Sequence, residues 1–302
     1  MINGIINVYK EKGYTSHDVV AKLRGICKQK KIGHTGTLDP DAEGVLPVCF
    51  GNATKLCDML TDKSKEYEAE FLLGIMTDTQ DISGMVLEER EVQVTSEQVT
   101  EVVASFVGKY DQIPPMYSAI KINGKRLYEL AREGKEVERK ARQVEITRIE
   151  ILAIDLPKIR VAVSCSKGTY IRTLGFDIGN KLGCGATMTK LLRTRVGDFN
   201  VKEALTLAQI ETLRDRDQLK EKIVIVEQVF AYLRRGTVKK EFRKFIDNGN
   251  SIYASQIEEQ ESWRDKEQIR IYNDDAIFCG IFEYRQAESV CKPVKMFPTG
   301  RE

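Results

Sequence analysis

Apolar and polar residues alternate most clearly from Lys65 to Leu73, where Tyr67, Ala69, Phe71 and Leu73 fall on one side and Glu66, Glu68 and Glu70 on the other. A period of two predicts a half-buried strand. "GVLPVCFG", Gly44 to Gly51, is apolar throughout and bounded by turn residues, which predicts a buried strand or short buried segment. Val19, Val20, Leu23 and Cys27 recur at helical spacing. "VEITRIEILAIDL" reads as a core strand, a helix starts with a cap near Thr206, and residues 211 to 236 read as charged and helical. After about residue 236 the texture changes. "EQIRIYNDDAIFCGIFEY" predicts two short strands around Asn273-Asp274-Asp275, and "KPVKMF" a further strand. Ile269, Ile271, Phe278, Ile281 and Phe282 are expected to close on one another as a small separate core.

At 302 residues the chain is one large domain or two. Its charged fraction is 30% but its net charge is only +2, so any footprint for nucleic acid must come from local clustering. Two clusters stand out. Lys22, Arg24, Lys28, Lys30 and Lys31 occur without an acid among them, just before Gly33. From Lys121 to Arg142 run Lys121, Lys125, Arg126, Arg132, Lys135, Arg139, Lys140 and Arg142 against four glutamates, with Tyr117 and Tyr128 nearby. This second run reads as a hairpin or thumb that meets phosphates. "RRGTVKKEFRKFIDNG" offers six more basic residues. The N-terminus has no leader pattern, no window is apolar enough to span a membrane, and the seven cysteines form no C-x-x-C pair. Reduced thiols in a cytoplasmic protein are the expectation.

"GHTGTLDPDAEGVLPV", Gly33 to Val48, concentrates acids, glycines and one of the two histidines. It begins like a calcium loop at Asp39, but the twelfth position is Phe50 where a bidentate glutamate is needed. Its glycines fit neither phosphate-loop spacing. A metal-dependent hydrolase built on Asp39, Asp41 and Glu43 lacks a histidine-rich ligand set. Two readings stay open on chemistry alone. One is a solvated turn. In the other, Pro40 stiffens Asp39 into an extended backbone at the edge of a core, which is how a nucleophile is held.

The segment resembles the catalytic motif of the TruB family, the tRNA pseudouridine-55 synthases. "SKEYEAEFLLGIMTDTQDISG", "PPMYSAIKINGKRLYELAREG" and "CSKGTYIRTLGFDIG" resemble three further family segments in the same order, so the likeness spans about residues 1 to 200. One departure is Glu11, where the family usually places proline after the lysine that is Lys10 here. The resemblance implies an α/β chain of the α+β type. A mixed, largely antiparallel central sheet flanked by helices would form residues 1–235, with an RNA-gripping insertion at about 114–142. A small β-rich, PUA-like domain would form residues 236–302. It implies isomerisation of a tRNA T-loop uridine without metal, cofactor or protein partner. Asp39 would be the nucleophile and Arg172 its counter-ion. Tyr170 would manage the C5 proton, on a strand whose period of two aims it with Arg172 into one pocket. Tyr67 would stack on the uracil, His34 on a flexible loop would wedge into the RNA, and Leu192 would wall the pocket. Lys10, Lys125, Arg126 and Arg132 would bind substrate. The alternatives are a guide-RNA-dependent synthase of the dyskerin type and a non-catalytic tRNA-binding protein.

Overall fold

The computed structural model describes residues 1–259 and 262–297, so residues 260–261 and 298–302 of the expected C-terminal domain lie outside the described residues. The alternating segments become nine strands of one sheet: β1 (Gly4–Lys10), β2 (Ile32–His34), β3 (Glu43–Phe50), β4 (Lys65–Leu73), β5 (Gly108–Gln112), β6 (Arg142–Asp155), β7 (Lys158–Cys165), β8 (Ala186–Val196) and β9 (Phe199–Asn200). The main path is β1-β3-β8-β4-β7-β6-β5, with β9 on β8 and β2 on β3. Only the β8–β3 pair is parallel, as expected for a mixed and largely antiparallel sheet.

Four helices flank it: α1 (Ser16–Cys27), α2 (Ser96–Ala104), α3 (Ile171–Lys181) and α4 (Leu207–Asp215). Thr15, Thr95 and the expected Thr206 each cap a helix reciprocally with the side chain three residues on. Val99, Val103, Leu174 and Ile178 of α2 and α3 pack with Phe71, Ile159 and Val161. A Cβ on Gly175 would stand 2.3 Å from the Phe71 ring, so glycine lets α3 approach β4 closely. Toward the β1–β3 end of the sheet Val19, Leu23 and Ile210 of α1 and α4 pack with Ile6, Val8 and Leu46.

The helical expectation for residues 211 to 236 holds only as far as Asp215, apart from the short helical stretches Leu219–Lys222 and Val226–Val229. Between those stretches Val224 exchanges backbone hydrogen bonds of 2.8 and 2.9 Å with Ile5. Pairing with the edge of β1 overrides the local preference of a charged segment.

A second sheet holds β10 (Arg234–Thr237), β11 (Ile252–Tyr253), β12 (Gln268–Tyr272), β13 (Phe278–Arg285) and β14 (Val290–Met296), in the order β10-β12-β13-β14-β11. The hairpin at Asn273 forms as expected, its Oδ1 accepting from the backbone N–H of Asp275 and Ile277. The expectation of a self-contained core does not hold. Ile269, Ile271 and Phe282 pack with Ile252 and Trp263, but Phe278 and Ile281 pack with Ile5, Val45 and Cys49 of the first sheet. Neighbouring residues on a strand face opposite ways, so Ile281 and Phe282 of β13 serve different cores.

Candidate active site

The acid-rich loop sits where two strands share one neighbour. Along the edge of β3 away from β1, β8 pairs with Glu43 and Gly44, and β2 pairs with Val48 to Phe50. The loop from Thr35 to Ala42 leaves β2 and re-enters at β3. Gly44 has φ +104°, and a Cβ there would stand 2.2 Å from the Arg193 carbonyl, so only glycine allows this junction. Leu38 and Ala42 are buried in the main core and anchor the loop on both sides of Asp39. The Ser16 hydroxyl accepts from the Leu38 N–H at 2.9 Å, and the Pro40 carbonyl accepts from the Gly13 N–H at 2.9 Å.

Lys10, expected among the substrate-binding residues, is fully buried. Its ammonium donates to the carbonyls of Ala42 at 2.5 Å, Pro40 at 3.0 Å and Glu11 at 3.2 Å. All three donors are therefore spent on backbone, and Lys10 clamps the loop instead of reaching RNA. Burial brings its pKa down to about 8, against the upward pull of Asp39 and Glu43.

Arg172 reaches the loop across 133 residues of sequence. Its Nε lies 2.9 Å from Asp39 Oδ2 and a terminal nitrogen donates to Asp39 Oδ1 at 3.2 Å, a two-point contact. The same guanidinium donates to the carbonyls of Thr79 and Tyr117, both at 2.9 Å, and lies 3.6 Å from the Asp81 carboxylate. The Arg172 side chain is 5% exposed and that of Asp39 37%, so the cation is sealed while the carboxylate keeps an open side.

Tyr170 and Arg172 do not lie on one strand. Tyr170 keeps extended backbone, with φ −96° and ψ 110°, as the cap before α3, and Arg172 stands in the first helical turn. The side-chain amide of Gln112 accepts from the Tyr170 N–H at 2.8 Å and donates to its carbonyl at 3.0 Å, which fixes the cap. Burial raises the Tyr170 phenol above its ordinary value although Arg172 and Arg142 pull the other way, so it stands protonated at neutral pH.

Tyr67 is buried on β4, directly opposite Arg193 of β8 and Val163 of β7. Directly opposed residues share a face, so Tyr67 and Arg193 stand together. Arg193 is 1% exposed and donates to the carbonyls of Val45 at 2.7 Å, Gly36 at 3.2 Å and Thr37 at 3.5 Å. Burial carries the Tyr67 phenol up to about 12, with Arg193 opposing, so it is a neutral ring. Leu192, the expected pocket wall, stands opposite Glu68 and so on the other face; Leu191 opposes Ala69 and packs with Tyr67 and Leu38. His34 ends strand β2 and is not on a flexible loop. It lies edge-on to His17 with ring centres 5.2 Å apart, and burial, reinforced by His17 and Arg193, brings its pKa down to about 4.

Lys125, Arg126 and Arg132 are exposed and project from the insertion, apart from the loop. Lys121–Ile122 and Lys125–Arg126 form a tight hairpin, followed by a short helix, Leu127–Arg132. Arg126 and Arg132 flank the Tyr128 ring at 5.8 and 5.4 Å, and Lys125 pairs with Glu133 at 3.1 Å. Sequence reasoning missed Arg193, Asp81 and Gln112. No local pattern marks them; Asp81 had a faint signal in sharing a segment with Tyr67.

Comparison with known proteins follows the same lines. Residues 24–171 match the model of the N-terminal domain of TruB family pseudouridylate synthase, and residues 172–236 match that of the tRNA pseudouridylate synthase B C-terminal domain. A protein of Lachnoclostridium phytofermentans named tRNA pseudouridine synthase B is 53% identical, over 98% of this chain and 100% of its own. One of the same name from Alkaliphilus oremlandii is 48% identical over 85% of each chain. Among solved structures, a chain of a Cbf5–Nop10–Gar1 complex superposes with a TM-score of 0.74 at 26% identity, covering 97% of this chain and 84% of that one. A chain of an H/ACA RNP bound to a substrate RNA gives 0.75 at 24% identity, covering 99% and 86%, a likeness of fold.

Proposed function

Since the chain belongs to the TruB family of pseudouridylate synthases, we propose that it isomerises uridine to pseudouridine at position 55, in the T-loop of tRNA. The observation that carries this is the two-point contact of sealed Arg172 with half-open Asp39. A carboxylate so held is fixed in direction, and its free side faces whatever enters. Asp39 acts as nucleophile toward the uridine. The neutral Tyr67 ring stacks on the uracil, a contact worth about 1–3 kcal/mol per base, and keeps water from the glycosidic bond. Tyr170 is the candidate for handling the C5 proton once the detached base has turned; because its phenol is protonated at neutral pH, it takes that proton only as it passes its own O–H proton to water. Neutral His34, at the strand end before the loop, takes the place of the flipped base. Leu191 serves as the apolar wall, and no cofactor takes part.

The insertion supplies the RNA grip through Lys125, Arg126 and Arg132, which supports action on tRNA without a guide RNA or protein partner. Residues 1–235 form the catalytic unit and residues 236–302 a β-rich RNA-binding unit. No helix among the described residues is long and apolar enough to cross a membrane, and we place the enzyme in the cytoplasm with its tRNA. The test is to incubate the protein alone with an unmodified tRNA transcript and map pseudouridine by mass spectrometry. Pseudouridine at the T-loop uridine is expected. Its absence, or its appearance only with an added guide RNA, would overturn the reading.

A further inference from the structure

Helices α1, α2 and α4 are each capped by a threonine of their own. In α2 and α4 a glutamine three residues on completes the cap: Gln98 and Gln209 accept from the Thr95 and Thr206 N–H at 2.8 and 2.9 Å. Helix α3 is built differently. Its cap position is Tyr170, whose side chain makes no cap hydrogen bond, and a phenol is no substitute for the short oxygen of threonine. Three residues on, the Thr173 hydroxyl donates to the Gln80 side chain at 2.8 Å, away from the cap. The missing half of the cap comes from Gln112, 58 residues earlier in the chain.

Gln112 is 1% exposed and ends β5 opposite Arg142, where the chain leaves the main sheet for the insertion and returns to it. Its Oε1 accepts from the Tyr170 N–H at 2.8 Å, as Gln98 and Gln209 do for their caps. Its Nε2 spends one proton on the Tyr170 carbonyl at 3.0 Å and the other on the Tyr110 phenol oxygen. The amide thus holds Tyr170 on both sides of its Cα, the atom from which the phenol is aimed. Among the described residues none of its hydrogen bonds goes to Asp39 or Arg172. Its loss therefore falls on the step that Tyr170 performs and spares the attack by Asp39.

We propose that Gln112 is a positioning residue for the proton step: it caps α3 from outside, which leaves the cap position free for a tyrosine and aims that phenol at C5 of the detached base. This inference rests on the isomerisation proposed above, with Tyr170 taking the C5 proton.

The experiment measures single-turnover rates at saturating tRNA for the parent chain, Gln112→Met and Gln112→Glu, on transcripts with hydrogen or deuterium at C5 of uridine. Thermal unfolding and a tRNA binding curve accompany each. Gln112→Met is expected to lose about a hundredfold in rate with binding within a few-fold, since a small misplacement of a reacting group costs that much. Its deuterium isotope effect should exceed that of the parent, because removal of the C5 proton becomes the slow step. Gln112→Glu keeps one acceptor and, while burial holds it neutral, one donor, so its rate relative to the parent should recover as pH falls from about 9 to about 6. Rates within threefold of the parent in both variants would overturn the proposal. So would a slowed Gln112→Met with the parent's isotope effect, a Gln112→Glu ratio that is flat with pH, or weak binding with a normal saturated rate, which would assign Gln112 to helix stability or to the insertion. A parent that forms no pseudouridine overturns the enzyme reading and this inference together, whereas a working parent beside unaffected variants overturns the inference alone.

Discussion

The loop from Thr35 to Ala42 and the insertion from Pro114 to Arg142 both lack long elements, yet they are held in opposite ways. Beneath the loop lie Lys10, Arg172 and Arg193, all buried, with donors directed at Asp39 and at carbonyls of the loop and its flanks, Arg172 also holding the Tyr117 carbonyl at the start of the insertion. On the insertion Lys125, Arg126 and Arg132 are exposed and meet only Glu133 or Tyr128 of the same segment. Removing a buried partner leaves unpaired groups that water cannot reach, so buried cations fix positions. Exposed pairs are weak and screened by salt, so the insertion's cations can exchange their partners for phosphates at little cost. The loop is built for position and the insertion for affinity.

The comparison breaks first at Asp39. Asp39→Asn keeps the shape but not the nucleophile, and should lower the single-turnover rate by at least about four orders of magnitude while tRNA binding stays within a few-fold. A variant that still forms pseudouridine at a comparable rate would remove Asp39 from the chemistry. Arg193→Met comes next. It strands the carbonyls of Gly36, Thr37 and Val45, and should destabilise the fold by about 2–4 kcal/mol in denaturant unfolding as well as slowing turnover. Full stability in this variant would show that the loop does not need its central clamp.

Lys10 gives a smaller, pH-dependent effect. Its pKa is about 8 in the fold against an ordinary 10.5, so between these values the unfolded chain binds more protons than the folded one. By linkage, Lys10's contribution to stability then rises with pH across that window. Activity should move the other way, because a neutral amine has one donor fewer for three carbonyls. Turnover is therefore expected to decline above about pH 8, and Lys10→Met to lose that limb. Smallest are Asp41→Asn and Glu43→Gln, which should leave the rate within about threefold. Asp41 pairs with exposed Lys12 at 4.0 Å and Glu43 accepts from the Tyr9 hydroxyl at 3.4 Å, and each acts on Lys10 through its charge without a hydrogen bond.

How far the sequence could be read follows from where each signal resides. The alternation around Tyr67, the Thr206 cap and the Asn273 hairpin are local, and the structure carries them as expected. The spacing of Ile171, Leu174 and Ile178 is equally local and fits the helix that forms, against the strand expected through Tyr170 and Arg172. Arg193 and Leu191 could not be read, because their roles depend on which strand β8 meets and in what register. A shift of one residue exchanges Leu191 for Leu192 and turns the wrong side chain to the pocket. The split of β13 between two cores is hidden for the same reason, since alternation shows that two faces differ but not what covers each.

The division between position and affinity is tested most directly by measuring the single-turnover rate at saturating tRNA beside a binding curve. The two proteins compared are Arg172→Lys and the combined Lys125→Gln/Arg126→Gln/Arg132→Gln variant. Lysine cannot reproduce the two-point contact with Asp39. Arg172→Lys should therefore lose about a hundredfold or more in rate with binding nearly unchanged, about 2.7 kcal/mol of transition-state stabilisation. The insertion variant should bind several-fold to tens of times more weakly, with a shallower salt slope, and turn over normally once saturated. The reverse result, an Arg172→Lys protein that only binds poorly and an insertion variant that binds normally yet cannot turn over, would contradict the account.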